Sequence, residues 1–196
     1  MPDSPSPAGP DEATAAGSSP ARAASPDFAP RPSYLVRFLA YTRLWALAAL
    51  VVALDQFTKA LVVARLPFGT YGSEQTAVIP GFFYLAHVGN TGGAWSIFAG
   101  RSLPLALVGI AVLVAVFIWR KHLGLRERFV QWCFGLFVGG SVGNIIDRLW
   151  HGHVVDFLDF RFGAYVFPTF NVADSAICVG VFAYVIWSLK QPAPPG

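Results

Sequence analysis

The sequence predicts an all-α membrane protein with four transmembrane helices and a small β-structured part on the outer face. Three observations lead to this fold class. The 196 residues are 55% hydrophobic and the mean hydropathy is +0.53, which is too apolar for an ordinary soluble domain. Several apolar runs are long enough to cross a bilayer, and two segments between them carry the patterns of short strands. The formal net charge of +3 is small, so it is informative about topology and does not suggest nucleic-acid binding.

The N-terminal segment, residues 1–33, is rich in Pro, Ala and Ser and offers little that could form a core. This composition is typical of disordered chain. The segment also lacks the apolar core and small-residue cleavage site of a secretory signal peptide. We therefore expect two parts, a disordered cytoplasmic tail over 1–33 and a membrane domain over 34–196.

Apolar runs then recur through the membrane domain, each near the roughly 17–25 residues that cross a bilayer as a helix. Because backbone groups in lipid must be paired internally, the runs are expected to be α-helices. They are Leu44–Val63, Leu103–Trp119, Phe129–Leu149 and Val172–Leu189. Lys and Arg concentrate before the first run, between the second and third, and after the fourth. The positive-inside rule therefore places both termini in the cytoplasm and residues 66–102 and 150–171 outside.

The two outward segments have strand-like patterns. VIPGFFYLAHVGNTGGAWSIF, residues 78–98, is aromatic and apolar around a Gly-rich centre, and we expect short strands or a hairpin resting on the outer leaflet. HVVDFLDFRF, residues 153–162, alternates and predicts a strand. Successive side chains of a strand point to opposite faces, so Asp156 and Asp159 are expected on different faces, Asp159 beside Arg161.

Five aspartates lie in or beside the apolar runs, where ionisable residues are costly and are functional candidates. They are Asp55, Asp147, Asp156, Asp159 and Asp174. Each falls near the end of a run that is expected to face outward. Their position predicts a polar site at the outer surface of the membrane.

Asp156 and Asp174 are the candidate catalytic pair. Asn171 is expected to cap the fourth helix, with Asp174 in its first turn, where an acid favours the helix dipole. Capping alone would explain Asp174, but Asp156 adds a second carboxylate at the same face. Two close carboxylates do not both ionise easily, so one keeps a proton, which we expect on Asp156. The ionised one can activate water and the protonated one can protonate a leaving amine, as in general acid–base hydrolysis.

Other polar residues allow two interpretations. Asn144, Asp147 and Arg148 share one helix face, and Asp55 and Lys59 stand four residues apart on another helix. Each set either supports an active site or makes only local structural contacts. The local contact would be a polar clamp between helix ends for Asn144, Asp147 and Arg148, and an ion pair for Asp55 and Lys59.

Metal and thiol chemistry have little support in the sequence. His151 and His153 form a pair with no third ligand, which is more typical of surface histidines than of a metal site. Cys133 and Cys178 lie in apolar runs, and we expect both to be buried and unpaired. No Ser or Cys nucleophile motif with a partnered His is evident.

Short blocks of sequence, in order along the chain, resemble the lipoprotein signal peptidases (signal peptidase II), a family of bacterial aspartic membrane proteases. They are DQFTK at 55–59, NTGGAWS at 90–96, GGSVGNIIDR at 139–148, GHVVDF at 152–157 and FNVADSA at 170–176. They are spread over residues 55–176, which is most of the chain after the tail. The second block departs from the common pattern at Gly93 and Trp95, where Ala and Phe are expected, a difference that bears on substrate fit.

The resemblance implies four membrane helices, an outer sheet-like cradle and catalytic aspartates at Asp156 and Asp174. The supporting or substrate-binding residues that it implies are Asp55, Lys59, Asn90, Asn144, Asp147, Arg148 and Asn171. The implied reaction is removal of the signal peptide from a prolipoprotein, with the cut just before its diacylglyceryl-modified cysteine, in the bacterial inner membrane. The expected partners are those prolipoproteins and membrane lipid, with no metal, other cofactor or nucleic acid, and the chain is expected to act as a monomer.

Two alternatives use the same residues differently. A small transporter or proton carrier would need polar residues spread through the membrane depth, whereas these cluster at one face. A structural scaffold with capped helices predicts that single Asp→Asn changes cost stability and abolish no chemistry.

Overall fold

A computed structural model of the chain describes residues 40–72, 75–93 and 97–191. The expected tail and Trp95 lie outside the described residues. The fold is mostly helical with a small antiparallel sheet. In chain order the elements are α1 (Thr42–Arg65), β1 (Thr76–Ile79), β2 (Phe83–Asn90), α2 (Ser102–Ile118), α3 (Arg128–Trp150), β3 (Val154–Phe162), β4 (Tyr165–Val166) and α4 (Val172–Leu189).

The predicted apolar runs correspond closely to the helices. α1, α3 and α4, with 24, 23 and 18 residues, are long and apolar enough to cross a membrane. α2 is also apolar but has 17 residues, which makes it shorter than the other three. Large apolar side chains such as Leu107 and Phe182 are exposed on these helices. Outward-facing apolar surface of this kind is typical of helices surrounded by lipid.

Glycines in α3 let it pack closely between α1 and α4. A Cβ on Gly139 would lie 2.7 Å from the carbonyl oxygen of Ala48 in α1, and one on Gly140 would collide with the backbone of Ala173 in α4. Small residues of this kind allow helix backbones to approach in a membrane. The polar residues of α3 are therefore brought near the first turn of α4 and near Asp55 of α1.

The strands form one sheet in the order β1-β2-β3-β4, with antiparallel neighbours. This confirms that both segments with strand-like patterns contain strands. In β2 the register shifts between Leu85 and Val88, and Val88 then lies opposite Asp156 of β3. The backbone N–H of Leu158 donates to Phe170 at 2.8 Å, which holds the start of α4 against β3.

The two cysteines differ in burial. Cys133 is buried as expected, but Cys178 is exposed on α4, so the expectation of burial was wrong for Cys178. Its side chain lies on the apolar outer face of the helix beside Val179, a face that lipid rather than protein would cover. Neither cysteine is in a disulfide.

Candidate active site

Asp156 lies in β3 and is 2% exposed. Both of its carboxylate oxygens accept a hydrogen bond from a side-chain amide. Asn90 at the end of β2 donates to Oδ2 at 3.0 Å, and Asn171 donates to Oδ1 at 2.7 Å. The orientation of the carboxyl group is therefore fixed from two sides, by the neighbouring strand and by the start of α4.

Asp174 lies in the first turn of α4 and takes part in a capping box. The Asn171 side chain accepts from the Asp174 backbone N–H at 2.9 Å, and the Asp174 carboxylate accepts from the Asn171 N–H at 3.3 Å. This confirms the predicted N-cap. The other oxygen of Asp174 accepts from Nδ2 of Asn144 in α3 at 2.7 Å, so Asp174 is also tied to a second helix.

Asn171 joins the two aspartates. Its Oδ1 accepts from the backbone of Asp174, and its Nδ2 donates to the carboxylate of Asp156. One residue therefore holds both aspartates in the same polar site, Asp156 by its carboxylate and Asp174 by its backbone N–H. Burial, and next the negative charge of Asp174, raise the pKa of Asp156 to about 7 against the lowering effect of its amide hydrogen bonds. Asp156 can therefore carry a proton near neutral pH.

Lys59 of α1 forms the centre of a buried polar network behind the aspartates. Its Nζ lies 2.8 Å from Asp55 and 2.8 Å from Asp147, and it donates to Oδ1 of Asn144 at 3.1 Å. The Asp55–Lys59 ion pair is present within the helix, but Lys59 also joins α1 to α3. A buried cation with this many partners is stabilised only when all of them are in place.

The network fixes which end of the Asn144 amide faces the site. Its Oδ1 accepts from Lys59 and, at 3.3 Å, from Asn171. Its Nδ2 is therefore left to donate to Asp174. The oxygen and nitrogen ends of an Asn amide have nearly the same shape, so the orientation of the Asn144 amide follows from these hydrogen bonds.

Asp55 and Asp147 each hold the residue that precedes a candidate catalytic aspartate. Asp147 accepts from the backbone N–H of Val155 at 3.0 Å, immediately before Asp156. Asp55 accepts from the backbone N–H of Ala173 at 2.9 Å, immediately before Asp174. The two carboxylates that contact Lys59 thus position the backbone on both sides of the site.

Arg148 connects α3 to the loop that follows β2. Its Nη2 donates to the carbonyl oxygen of Gly92 at 2.8 Å and its Nη1 to that of Asn144 at 3.3 Å. Gly92 in turn donates to Oδ1 of Asn90 at 2.9 Å. Arg148 therefore supports the loop that orients Asn90 toward Asp156.

Sequence reasoning missed Gln56. Its amide donates to Asp147 at 2.9 Å, to Asp55 at 3.2 Å and to the carbonyl oxygen of Gly143 at 3.3 Å. Gln56 lies in the DQFTK block beside Asp55, and that position was the one available signal. The side chain completes the buried network between α1 and α3.

Asp159 belongs to a different set of contacts. It forms an ion pair with Arg161 at 3.2 Å and accepts from Gln75. The guanidinium of Arg161 lies 4.4 Å from the ring centroid of Tyr84, in a cation–π contact. The expected pairing of Asp159 with Arg161, away from Asp156, is confirmed.

The ring centroids of His151 and His153 lie 6.0 Å apart. Burial, and next the charge of His151, lower the pKa of His153. Within residues 40–72, 75–93 and 97–191, no group of three or more His, Cys, Asp or Glu residues is arranged to hold a metal ion. The candidate site is therefore built from carboxylates, amides and two cations.

Comparison with known proteins gives consistent matches. Residues 47–190 match the family model described as signal peptidase (SPase) II. A protein named lipoprotein signal peptidase from Thermosynechococcus vestitus is 42% identical over 149 residues, covering 76% of this chain and 91% of the relative. One of the same name from Desulforapulum autotrophicum is 44% identical over 160 residues, covering 79% and 96%. A bacterial membrane enzyme solved by the in meso method is similar with a TM-score of 0.68 and 31% identity, covering 78% of this chain and 94% of that structure.

Proposed function

Because this chain belongs to the signal peptidase II family of bacterial inner-membrane proteases, we propose that it is an aspartic endopeptidase that cuts prolipoproteins just before their diacylglyceryl-modified cysteine. Family membership supports the removal of signal peptides from lipoproteins, and it leaves the carrier and scaffold alternatives without support. The observation that carries the aspartic mechanism is the bridge made by Asn171, which bonds both Asp156 and Asp174.

The proposed chemistry uses one ionised and one protonated carboxyl group. Asp174, ionised in the first turn of α4, takes a proton from a water molecule. The oxygen of that water attacks the scissile carbonyl carbon and forms a tetrahedral intermediate. Asp156 gives its proton to the nitrogen as the carbon–nitrogen bond breaks, and the cysteine leaves with a free amino group. The raised pKa of Asp156, about 7, suits this role as general acid.

The supporting residues have positioning roles in this proposal. Asn90, Asn144 and Asn171 donate to the carboxylates. Asp55 and Asp147 hold the preceding backbone, with Lys59 between them. Arg148 supports the loop after β2. Nothing in this scheme requires a metal or organic cofactor.

The proposed placement in the membrane has four spanning helices, cytoplasmic termini and the site near the outer face. At about 1.5 Å per residue, α2 is roughly 26 Å long, close to the ~30 Å hydrocarbon core. The sheet would lie at the outer surface as a cradle for the substrate. We propose residues 34–196 as the catalytic unit, acting as a monomer on prolipoproteins within the lipid, with 1–33 as a separate tail.

Cleavage of a lipid-modified prolipoprotein by the purified protein tests the proposal. Asp156→Asn and Asp174→Asn are each expected to lower the rate at least about a hundredfold, because each removes a proton-transfer group. Asp159→Asn is the matched control and should keep most of the activity, since Asp159 contacts Arg161 and Gln75. Thermal unfolding of all variants separates lost chemistry from lost folding.

Two results would contradict the proposal. Near-normal rates for Asp156→Asn would show that the pair is assigned wrongly. Activity lost to a chelator and restored by zinc would replace the aspartic mechanism with a metal-dependent one.

A further inference from the structure

A groove of about 530 Å³ lies beside Asp156. Its walls come from the segment after α1, the end of β2 and the segment before α4, all outside the helices. Among the described residues that line it, Asp156 is the one with a charged side chain. Phe68, Tyr71, Val88 and Pro168 provide apolar surface, and Asn90, Thr91 and Thr169 add uncharged polar groups. The groove therefore leads from solvent to one of the two proposed catalytic groups.

Phe68 is the most prominent part of the wall. Its side chain is 66% exposed, yet its ring packs at a defined position against β2. It packs edge-on against His87 and at an angle against His153, with ring centroids 5.3 Å away in both cases. The ring of His87 is itself held by a 2.8 Å hydrogen bond to the carbonyl oxygen of Leu66.

The packing of the Phe68 ring against β2 depends on the absence of a side chain at Gly89. A Cβ at this position would lie 2.8 Å from Cζ of Phe68 and 2.9 Å from Cδ2 of His153. Real Cβ atoms do not approach other carbons so closely, so any larger residue would push the Phe68 ring away from its place on the strand. Gly89 thus sets where the Phe68 ring lies on the wall of the groove.

We propose that Phe68, seated on Gly89, is a specificity-determining residue that bounds a subsite for an uncharged, apolar side chain of the substrate peptide next to the scissile bond. The inference rests on the proposed function. A charged side chain would find no partner of opposite charge here, because Asp156 is the one acidic or basic residue among the described lining residues and the proposed mechanism keeps it protonated, so the lost hydration would not be compensated. An apolar side chain instead gains contact with the aromatic wall.

The location of the groove favours peptide over an acyl chain of the same substrate. Acyl chains lie in the hydrocarbon core, where the apolar helices are expected to be. The groove is built from strand and loop residues outside those helices. The exposed peptide chain beside the scissile bond is the part of the substrate that reaches this position.

The test uses lipid-modified prolipoprotein substrates that differ only in one residue flanking the scissile bond, with small or large apolar side chains. The measured quantity is the ratio of kcat/KM for the large and small members. Phe68→Ala is expected to shift this ratio toward the large side chain by about tenfold, the size of effect that a few methylene contacts produce. Phe162→Ala removes another exposed Phe, outside the groove, and should leave the ratio unchanged.

Gly89→Ala is a second test, because displacing the ring reshapes the wall of the groove, and the ratio should therefore differ from that of the wild-type protein. In the Phe68→Ala background the same change should have little further effect, since the ring is gone, and this non-additivity would support direct coupling. If Phe68→Ala and Phe162→Ala have the same ratio of kcat/KM while the wild-type protein cleaves these substrates, the role of Phe68 is wrong and the proposed function stands. If the wild-type protein cleaves no member, the proposed function fails and the inference fails with it.

Discussion

Lys59 shows how one side chain can act on two distant groups through their neighbours. It lies between Asp55 and Asp147, and these carboxylates hold Ala173 and Val155, the residues before Asp174 and Asp156. Removing Lys59 would leave two buried carboxylates without their cation, which is strongly unfavourable. The spacing of the proposed catalytic pair therefore depends on a charge that touches neither member.

The pH dependence of catalysis follows from the state of Asp156. Its pKa is raised from 3.8 to about 7, and the proposed mechanism needs its protonated form. We therefore expect kcat to fall as the pH rises through about 7. Rates on one lipid-modified substrate across this range provide the test, and Asp159→Asn should keep the same profile. A kcat that rises or stays constant above this pH would contradict the assignment of the acid.

The same group links stability to pH. The folded state binds this proton more tightly than the unfolded chain does, so the protonated form adds stability that is fully present below 3.8 and is lost as the pH rises through about 7. The unfolding temperature should therefore decrease across this window. In Asp156→Asn the decrease should be smaller, because the substituted amide does not titrate.

The sequence is informative about residues whose contacts are local. The capping box of Asn171 and Asp174 was predictable because its partners are three residues apart. The role of Gln56 was not, because its hydrogen bonds cross from α1 to α3. Nor does any residue pattern show that a carboxylate will accept from the backbone of Val155, since that depends on where β3 lies after folding.

Helices were easier to predict than the details of the sheet. A long apolar run gives the helix and its approximate ends, as the match between Leu103–Trp119 and α2 (Ser102–Ile118) shows. The register shift in β2 between Leu85 and Val88 leaves no mark in the alternation of side chains. That shift decides which residue lies opposite Asp156, so the sequence predicted the strand and not the position of its neighbour.

Close packing of α3 on α1 requires a residue without a side chain at Gly139. Gly139→Ala should destabilise the protein by about 1–3 kcal/mol, because the new methyl group would lie 2.7 Å from both the Ala48 carbonyl oxygen and Cβ of Val51. Gly109→Ala is the matched control within α2, where the methyl group meets the flexible end of Ile145 at 3.2 Å. The control should be nearly neutral or slightly stabilising, since Ala favours a helix over Gly. Equal unfolding temperatures for the two variants in detergent would contradict the packing argument.

The distribution of charge along the chain predicts the orientation of the protein in the membrane. Arg120, Lys121, Arg126 and Arg128 lie between or at the ends of α2 and α3, on the side expected to be cytoplasmic. The candidate site lies at the opposite end of α3, where α3 meets β3 and α4 begins. A protease that acts on exported lipoproteins needs its site on the side that the exported chain reaches.

Cysteine labelling can test this orientation directly. In a background with Cys133→Ser and Cys178→Ser, a single cysteine replaces either Tyr165 near the tip of the sheet or His122 in the α2–α3 connection, both exposed positions. A membrane-impermeant maleimide should label Tyr165→Cys in intact cells stripped of outer barriers, and His122→Cys only after the membrane is opened. The reason is that the positively charged α2–α3 connection resists transfer across the membrane, whereas the sheet carries few positive charges. Labelling of His122→Cys before lysis, with Tyr165→Cys protected, would invert the topology and place the proposed active site in the cytoplasm.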